Sequence, residues 1–235
     1  MCSCWSRAGG AAARPRPFDF YRLNFYHGSM WYIVGLGNPG KEHVHSRHNA
    51  GWMMLDSMVT RFGLPTPIDN RAYSGRVATG TVADQPVTVL YPNTFMNASG
   101  SAVKKLVPRG ATDTLIVLYD DIDLPLGTVK ISLDRGDGGH NGIKSIHEAL
   151  ATKAFIRIRI GIARKNIFGL LKRPKGEALA KFVLNDFTKD EQMELARLAA
   201  RVGAALETII TDGVAVAMQH YNAPQTEADV VNSIK

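Results

Sequence analysis

WYIVGLGNPGKEHVHSRHNAG, residues 31–51, is the stretch around which the rest of the chain is organised. It begins as a strand: Tyr32, Ile33, Val34 and Leu36 are apolar, with Trp31 at the edge. It then breaks into a tight loop at Gly37-Asn38-Pro39-Gly40, crosses a polar segment holding His43 and His45, and reaches His48-Asn49. A helix is expected to open there, with Trp52, Leu55, Val59 and Phe62 on its apolar face. His48 and Asn49 are thereby placed at a helix start, where unpaired N–H groups and the positive end of the dipole point. A positive field disfavours imidazolium, so His48 is expected to stay neutral and able to accept a proton.

Working outward, strands are expected over 73–82 and 86–91, the second running into Asn93-Thr94-Phe95-Met96-Asn97 and a helix to about Val107. Residues 114–119, TLIVLY, are apolar throughout, as in a central strand buried on both faces, and end in Asp120-Asp121-Ile122-Asp123. A strand over 128–133 leads to the Gly-rich DRGDGGHNG and a short helix to Leu150. Residues 155–163 alternate, with Ile156, Ile158, Ile160 and Ile162 on one face and Arg157 and Arg159 on the other. A basic, loop-like segment follows over 164–176. Thr188-Lys189-Asp190-Glu191 reads as a capping box opening a long helix to about Thr211, and a last short helix ends near Tyr221. Strands interleaved with helices predict a single three-layer α/β domain over 30–222, its sheet mixed, mostly parallel and flanked by helices. Residues 1–29 read as an Arg- and Ala-rich extension and 223–235 as a tail. Met30 is preferred as the start of translation over an organelle presequence, because the extension shows no amphipathic period.

The chain has 235 residues, 45% of them hydrophobic, enough for one sizeable core. No apolar run reaches transmembrane length. Cys2 and Cys4 both lie in the extension, which excludes a disulfide scaffold, fits a reducing compartment and offers at most a weak metal pair. Of the net charge of +7, +3 falls in residues 1–29 and +8 in residues 151–176, leaving −4 for the remainder. A basic block on an acidic body points to a polyanionic partner, or to a solvated charged face.

Gly35-x-Gly37-x-x-Gly40 matches a dinucleotide fingerprint, but Pro39 interrupts the turn and no apolar helix starts at Gly40. His43, His45 and His48 with Asp120, Asp121 and Asp123 have the residue types of a zinc site, crowded into an irregular segment. No Gly-x-Ser-x-Gly elbow is present, which disfavours a serine nucleophile. His48 beside an aspartate at a strand end is the pairing a general base needs: the carboxylate holds one ring nitrogen protonated and frees the other to deprotonate water. Asn38, Asn49, Asn97 and Asn141 follow different elements and could hold a neutral ester or amide whose charge develops only in the transition state.

Five blocks in order, GLGNPG…RHNAG, TFMNASG, LYDDIDLPLG, GGHNG and RIRIGIA, make the chain resemble the bacterial-type peptidyl-tRNA hydrolases from about Trp31 to Tyr221. The resemblance implies hydrolysis of the ester joining a peptide to the 3′ end of tRNA, without cofactor or metal, by a cytoplasmic monomer that has no membrane partner. It implies that His48 is the base, Asp120 its orienting carboxylate, and Asn38 the group that tells blocked from free aminoacyl ends. Phe95, Asn97 and Asn141 match contacts to the tRNA end or peptide, and Met96 an apolar cleft wall. Asn49 joins them as a substrate contact, and Lys144 and Arg159 match basic positions on the tRNA side. Two positions depart from the pattern: His43 stands where relatives usually carry Tyr or Phe, and Ser132 where some carry Lys. The 164–176 segment also looks longer than usual. A metal-dependent hydrolase built on His43, His45 and His48, and a non-catalytic RNA-binding module, are the alternatives.

Overall fold

The computed structural model describes residues 29–223 apart from residue 167, so the body of the extension and of the tail lies outside the described residues. Seven strands form one sheet: β1 (Trp31–Gly35), β2 (Ile68–Asn70), β3 (Gly75–Val82), β4 (Gln85–Pro92), β5 (Leu115–Pro125), β6 (Val129–Leu133) and β7 (Ile156–Ala163). Their order is β2-β3-β4-β1-β5-β7-β6. The four central strands β4, β1, β5 and β7 run parallel, while β2, β3 and β6 pair antiparallel at the two edges. The sheet is therefore mixed as expected, with its parallel character confined to the centre. Both faces of that centre are covered. On one lie α1 (Ala50–Arg61), α5 (Lys189–Thr211) and α6 (Val214–Tyr221); on the other lie α2 (Ser99–Leu106) and α3 (Asn141–Leu150). No helix among the described residues is long and apolar enough to cross a membrane.

Strand parity sorts the two cores. Ile33, Ile116 and Leu118 point into the α1 layer, and Val34, Leu115 and Val117 into the α2–α3 layer. In α1 the buried stripe is Gly51, Met54, Leu55 and Met58, one position off the expected Trp52, Val59 and Phe62, which are only partly buried. The reason is the close approach of the helix start to the strand ends. A Cβ on Gly51 would come within 2.6 Å of the Leu36 backbone, so the glycine faces the sheet and sets the phase of the stripe.

Two further readings need correction. The aspartate run does not follow β5 but belongs to it: the strand continues to Pro125, beyond its last pairing with β1 at Gly35 and Leu118. Arg157 and Arg159 do not form a solvated basic face. Strand β7 lies between β5 and β6, and both arginines are buried, at 0% and 6% exposure. Arg157 donates to the carbonyls of Gly136 and Lys153, and Arg159 Nε donates to Asp121 at 2.7 Å.

Candidate active site

His48 sits in a 3-10 turn, Arg47–Asn49, that leads into α1. Asp120 continues the parity of Ile116 and Leu118 toward the α1 layer, at the point where β5 has outrun β1. The two meet: His48 Nδ1 lies 2.9 Å from Asp120 Oδ1. The same oxygen also accepts from His140 Nε2 at 2.9 Å. His140 caps α3, and its Nδ1 accepts the Ile143 N–H at 3.3 Å. That fixes its tautomer, since Nδ1 must be unprotonated to accept, so the proton is on Nε2 and points at Asp120. With Nδ1 of His48 given to the carboxylate, its Nε2 is the nitrogen left for chemistry.

The electrostatics differ from the sequence expectation. Burial by itself lowers the His48 pKa, but the charge of Asp120 and the hydrogen bond to it outweigh burial and hold it above 6.5. A carboxylate 2.9 Å away dominates the weak field of a short helix start. Burial likewise pushes the Asp120 carboxyl up, yet the two histidines overcome it and keep the group well below the usual carboxylate range. Asp120 is thus an anion at 3% exposure, stabilised by two N–H donors.

The three side chains border an open cavity of about 210 Å³, lined also by Tyr119, the Gly138–Asn141 turn and one face of α4 (Glu177–Leu184). Helix α4, unforeseen in the sequence, contributes Leu179, Ala180 and Val183. It is anchored through the residue next to the base. Arg47, buried, donates to the carbonyls of Phe182 and Asn185 and to Glu191 Oε2 at 2.6 Å, with its guanidinium 4.6 Å from the Phe182 ring centre.

The remaining expected residues divide. Asn38 Oδ1 accepts the Met96 N–H at 2.8 Å, which orients the amide and leaves Nδ2 as its remaining donor. Met96 is buried against the position of Gly142, where a Cβ would come within 2.6 Å of its sulfur, so the Phe95–Asn97 turn abuts the turn carrying His140 and Asn141. Phe95, Asn97, Asn141 and Lys144 are exposed and available to a ligand. Asn49 is not: its Oδ1 accepts from Asn38 N and its Nδ2 donates to Asn38 O, at 2.8 and 3.0 Å. It is a fixture for Asn38 rather than a substrate contact. Arg159 is spent on Asp121. His43 is half-buried and 3.8 Å from Glu42, and His45 is exposed; neither converges on His48. Among the described residues the one set with metal-ligand proximity is His48, Asp120 and His140, their donor atoms within 4.8 Å of one another. Both nitrogens nearest Asp120 already serve as donors to its oxygen, so an ion there must break two hydrogen bonds.

A family model described as peptidyl-tRNA hydrolase matches residues 32–229. A peptidyl-tRNA hydrolase of Thermodesulfovibrio yellowstonii is 36% identical over 82% of this chain and 99% of its own length. One from Roseiflexus is 39% identical over 83% of this chain and 87% of its own. The crystal structure of peptidyl-tRNA hydrolase from Acinetobacter baumannii superposes with a TM-score of 0.73 at 26% identity, covering 83% and 96% of the two chains. The chain belongs to the peptidyl-tRNA hydrolase family.

Proposed function

We propose that the protein hydrolyses the ester between a peptide, or an N-blocked aminoacyl group, and the 3′ end of tRNA, with His48 as general base. The observation that carries this is the His48–Asp120 pair, 2.9 Å apart at a cavity wall, in a chain of this family. Asp120 holds the proton on Nδ1, and Nε2 takes a proton from a water molecule as that water attacks the ester carbonyl. The tetrahedral intermediate collapses, the ribose 3′-oxygen leaves with the proton from the imidazolium, and the peptide departs as an acid. Base catalysis of this kind contributes about 10²–10⁴-fold in rate. His140 acts through Asp120, fixing the carboxylate that fixes the base.

Asn38 Nδ2, Asn97 and Asn141 supply neutral hydrogen bonds to the acyl group, suited to charge that appears only in the transition state. Exposed Phe95 offers a ring for a terminal base, Met96 an apolar wall, and Lys144 a cation for phosphate. The reaction as drawn needs neither metal nor cofactor and a single copy of the chain. The test is purified protein on N-acetyl-aminoacyl-tRNA, with and without a chelator. Release of free tRNA at the same rate in both is expected. Absence of cleavage overturns the assignment, and chelator sensitivity moves His48, Asp120 and His140 into a metal site.

A further inference from the structure

Three carboxylates border the cavity that holds His48: Asp120, Asp121 and Asp137. Two of them are compensated. Asp120 accepts from both histidines, and Asp121 takes Arg159 Nε at 2.7 Å. Asp137, half-buried in the glycine-rich turn before α3, forms no ion pair among the described residues. Its Oδ1 accepts the Gly139 N–H at 2.8 Å. That hydrogen bond, more than the fields of Lys144 and His147 on α3, holds the carboxyl below the usual carboxylate range. Asp137 is therefore an anion at neutral pH, and no cationic side chain lining the cavity touches it.

The same cavity is lined by Ile122, Leu179, Ala180 and Val183, which give it an apolar side. Apolar surface together with one unpaired carboxylate suits a long side chain with a cationic end. The methylenes lie along the apolar surface and the head group reaches the carboxylate. The chemistry decides which part of the substrate enters. Water activated at His48 Nε2 attacks the carbonyl carbon of the acyl group, and the Cα of the esterified residue is bonded to that carbon. The side chain on that Cα therefore starts beside His48, at the cavity wall. A phosphate of the RNA end is the poorer occupant, because the anionic Asp137 repels it and Lys144 is not among the lining residues.

We infer that the cavity receives the side chain of the residue esterified to the RNA, and that Asp137 favours lysine or arginine there. This rests on the proposed hydrolase function. The experiment measures kcat/KM for one tRNA acylated with N-acetyl-lysine, N-acetyl-norleucine or N-acetyl-glutamate, using the parent, Asp137→Asn and Asp137→Lys. Norleucine keeps the methylene chain of lysine and lacks the ammonium group. An asparagine at this position still accepts the Gly139 N–H, so the turn survives without the charge. The parent should prefer the lysyl over the norleucyl ester by about three- to tenfold at low salt, and Asp137→Asn should erase that preference. Asp137→Lys should turn the preference toward the glutamyl ester. A parent that cleaves the lysyl and norleucyl esters equally overturns the inference. So does an Asp137→Asn variant that changes all three esters by one factor, as a role toward phosphate would. If the parent cleaves none of them, the hydrolase reading fails, while the relative affinity for N-acetyl-lysinamide and N-acetyl-norleucinamide still decides the role of Asp137, equal affinities overturning it.

Discussion

Replacing Asp120 with asparagine separates the charge of the orienting group from its shape. Asp120 Oδ1 accepts from both His48 Nδ1 and His140 Nε2, each at 2.9 Å. An amide oxygen in the same place can still accept both, because the His140 tautomer is set independently by the Ile143 N–H. What disappears is the negative charge. A hydrogen bond to a charged group is worth about 1.5–3 kcal/mol, and it matters most once His48 has become imidazolium. The expected loss is therefore about 10- to 150-fold in kcat, short of the 10²–10⁴ carried by the base itself. The pH profile gives a sharper sign. Burial is the largest influence on His48 and acts downward; Asp120 alone reverses it. In the parent, the acid limb of kcat/KM should sit above pH 6.5, since the competent form of His48 is the neutral one. In Asp120→Asn that limb should move below the ordinary histidine value, so the variant loses least at acid pH. The raised His48 pKa contributes stability that is fully present below the unfolded value of about 6.5 and is lost as pH rises through the raised folded value, while the depressed Asp120 pKa contributes stability that is lost as pH falls below the usual carboxylate range. Initial rates of N-acetyl-aminoacyl-tRNA cleavage across pH about 5 to 8 check this. An acid limb that stays put, or moves up, in Asp120→Asn refutes the reasoning.

Four other changes test the supporting structure. Arg47→Met leaves Glu191 with Arg164 as its remaining cation and removes the side-chain ties to the C-terminal end of α4; it should cost about 3 kcal/mol in thermal or urea unfolding and raise KM through the loosened cavity wall. Asn49→Ala strips both main-chain partners from Asn38 and should cost about 2–4 kcal/mol with a fall in kcat, whereas Asn38→Ala should lower activity with a smaller change in melting temperature. Gly142→Ala drives a methyl toward the Met96 sulfur and Leu36 Cδ1, at 2.6 and 2.8 Å; a melting shift equivalent to about 1–3 kcal/mol should accompany reduced turnover.

Residues 31–51 made the core of the site legible because one local pattern encodes a strand end, a tight turn and a helix start in succession. The apolar β5 then supplied the aspartate across the crevice. What failed to be legible was long-range. Alternation in β7 tells which side chains share a face, not whether that face is covered, and Arg157 and Arg159 turned out to lie under a Gly-rich turn and beside Asp121. Asn49 has the residue type of a ligand contact, but both ends of its amide are used by Asn38, which only the folded turn reveals. His140 does not stand out in the sequence beside its neighbour Asn141. Its position just before an apolar helical run was the available signal, since a cap residue is fixed in orientation and can serve a second partner. Helix α4 was missed because its residues are amphipathic but none is fully buried, so no core stripe announced it.

The central claim is that a buried imidazole, steered by one carboxylate, deprotonates the attacking water. Single-turnover cleavage of N-blocked aminoacyl-tRNA by His48→Ala, measured together with its tRNA dissociation constant, reads that claim without interference from product release. A rate lower by about 10²–10⁴-fold with tRNA affinity unchanged is expected. Cleavage at the parent rate by a variant that still binds tRNA would contradict it.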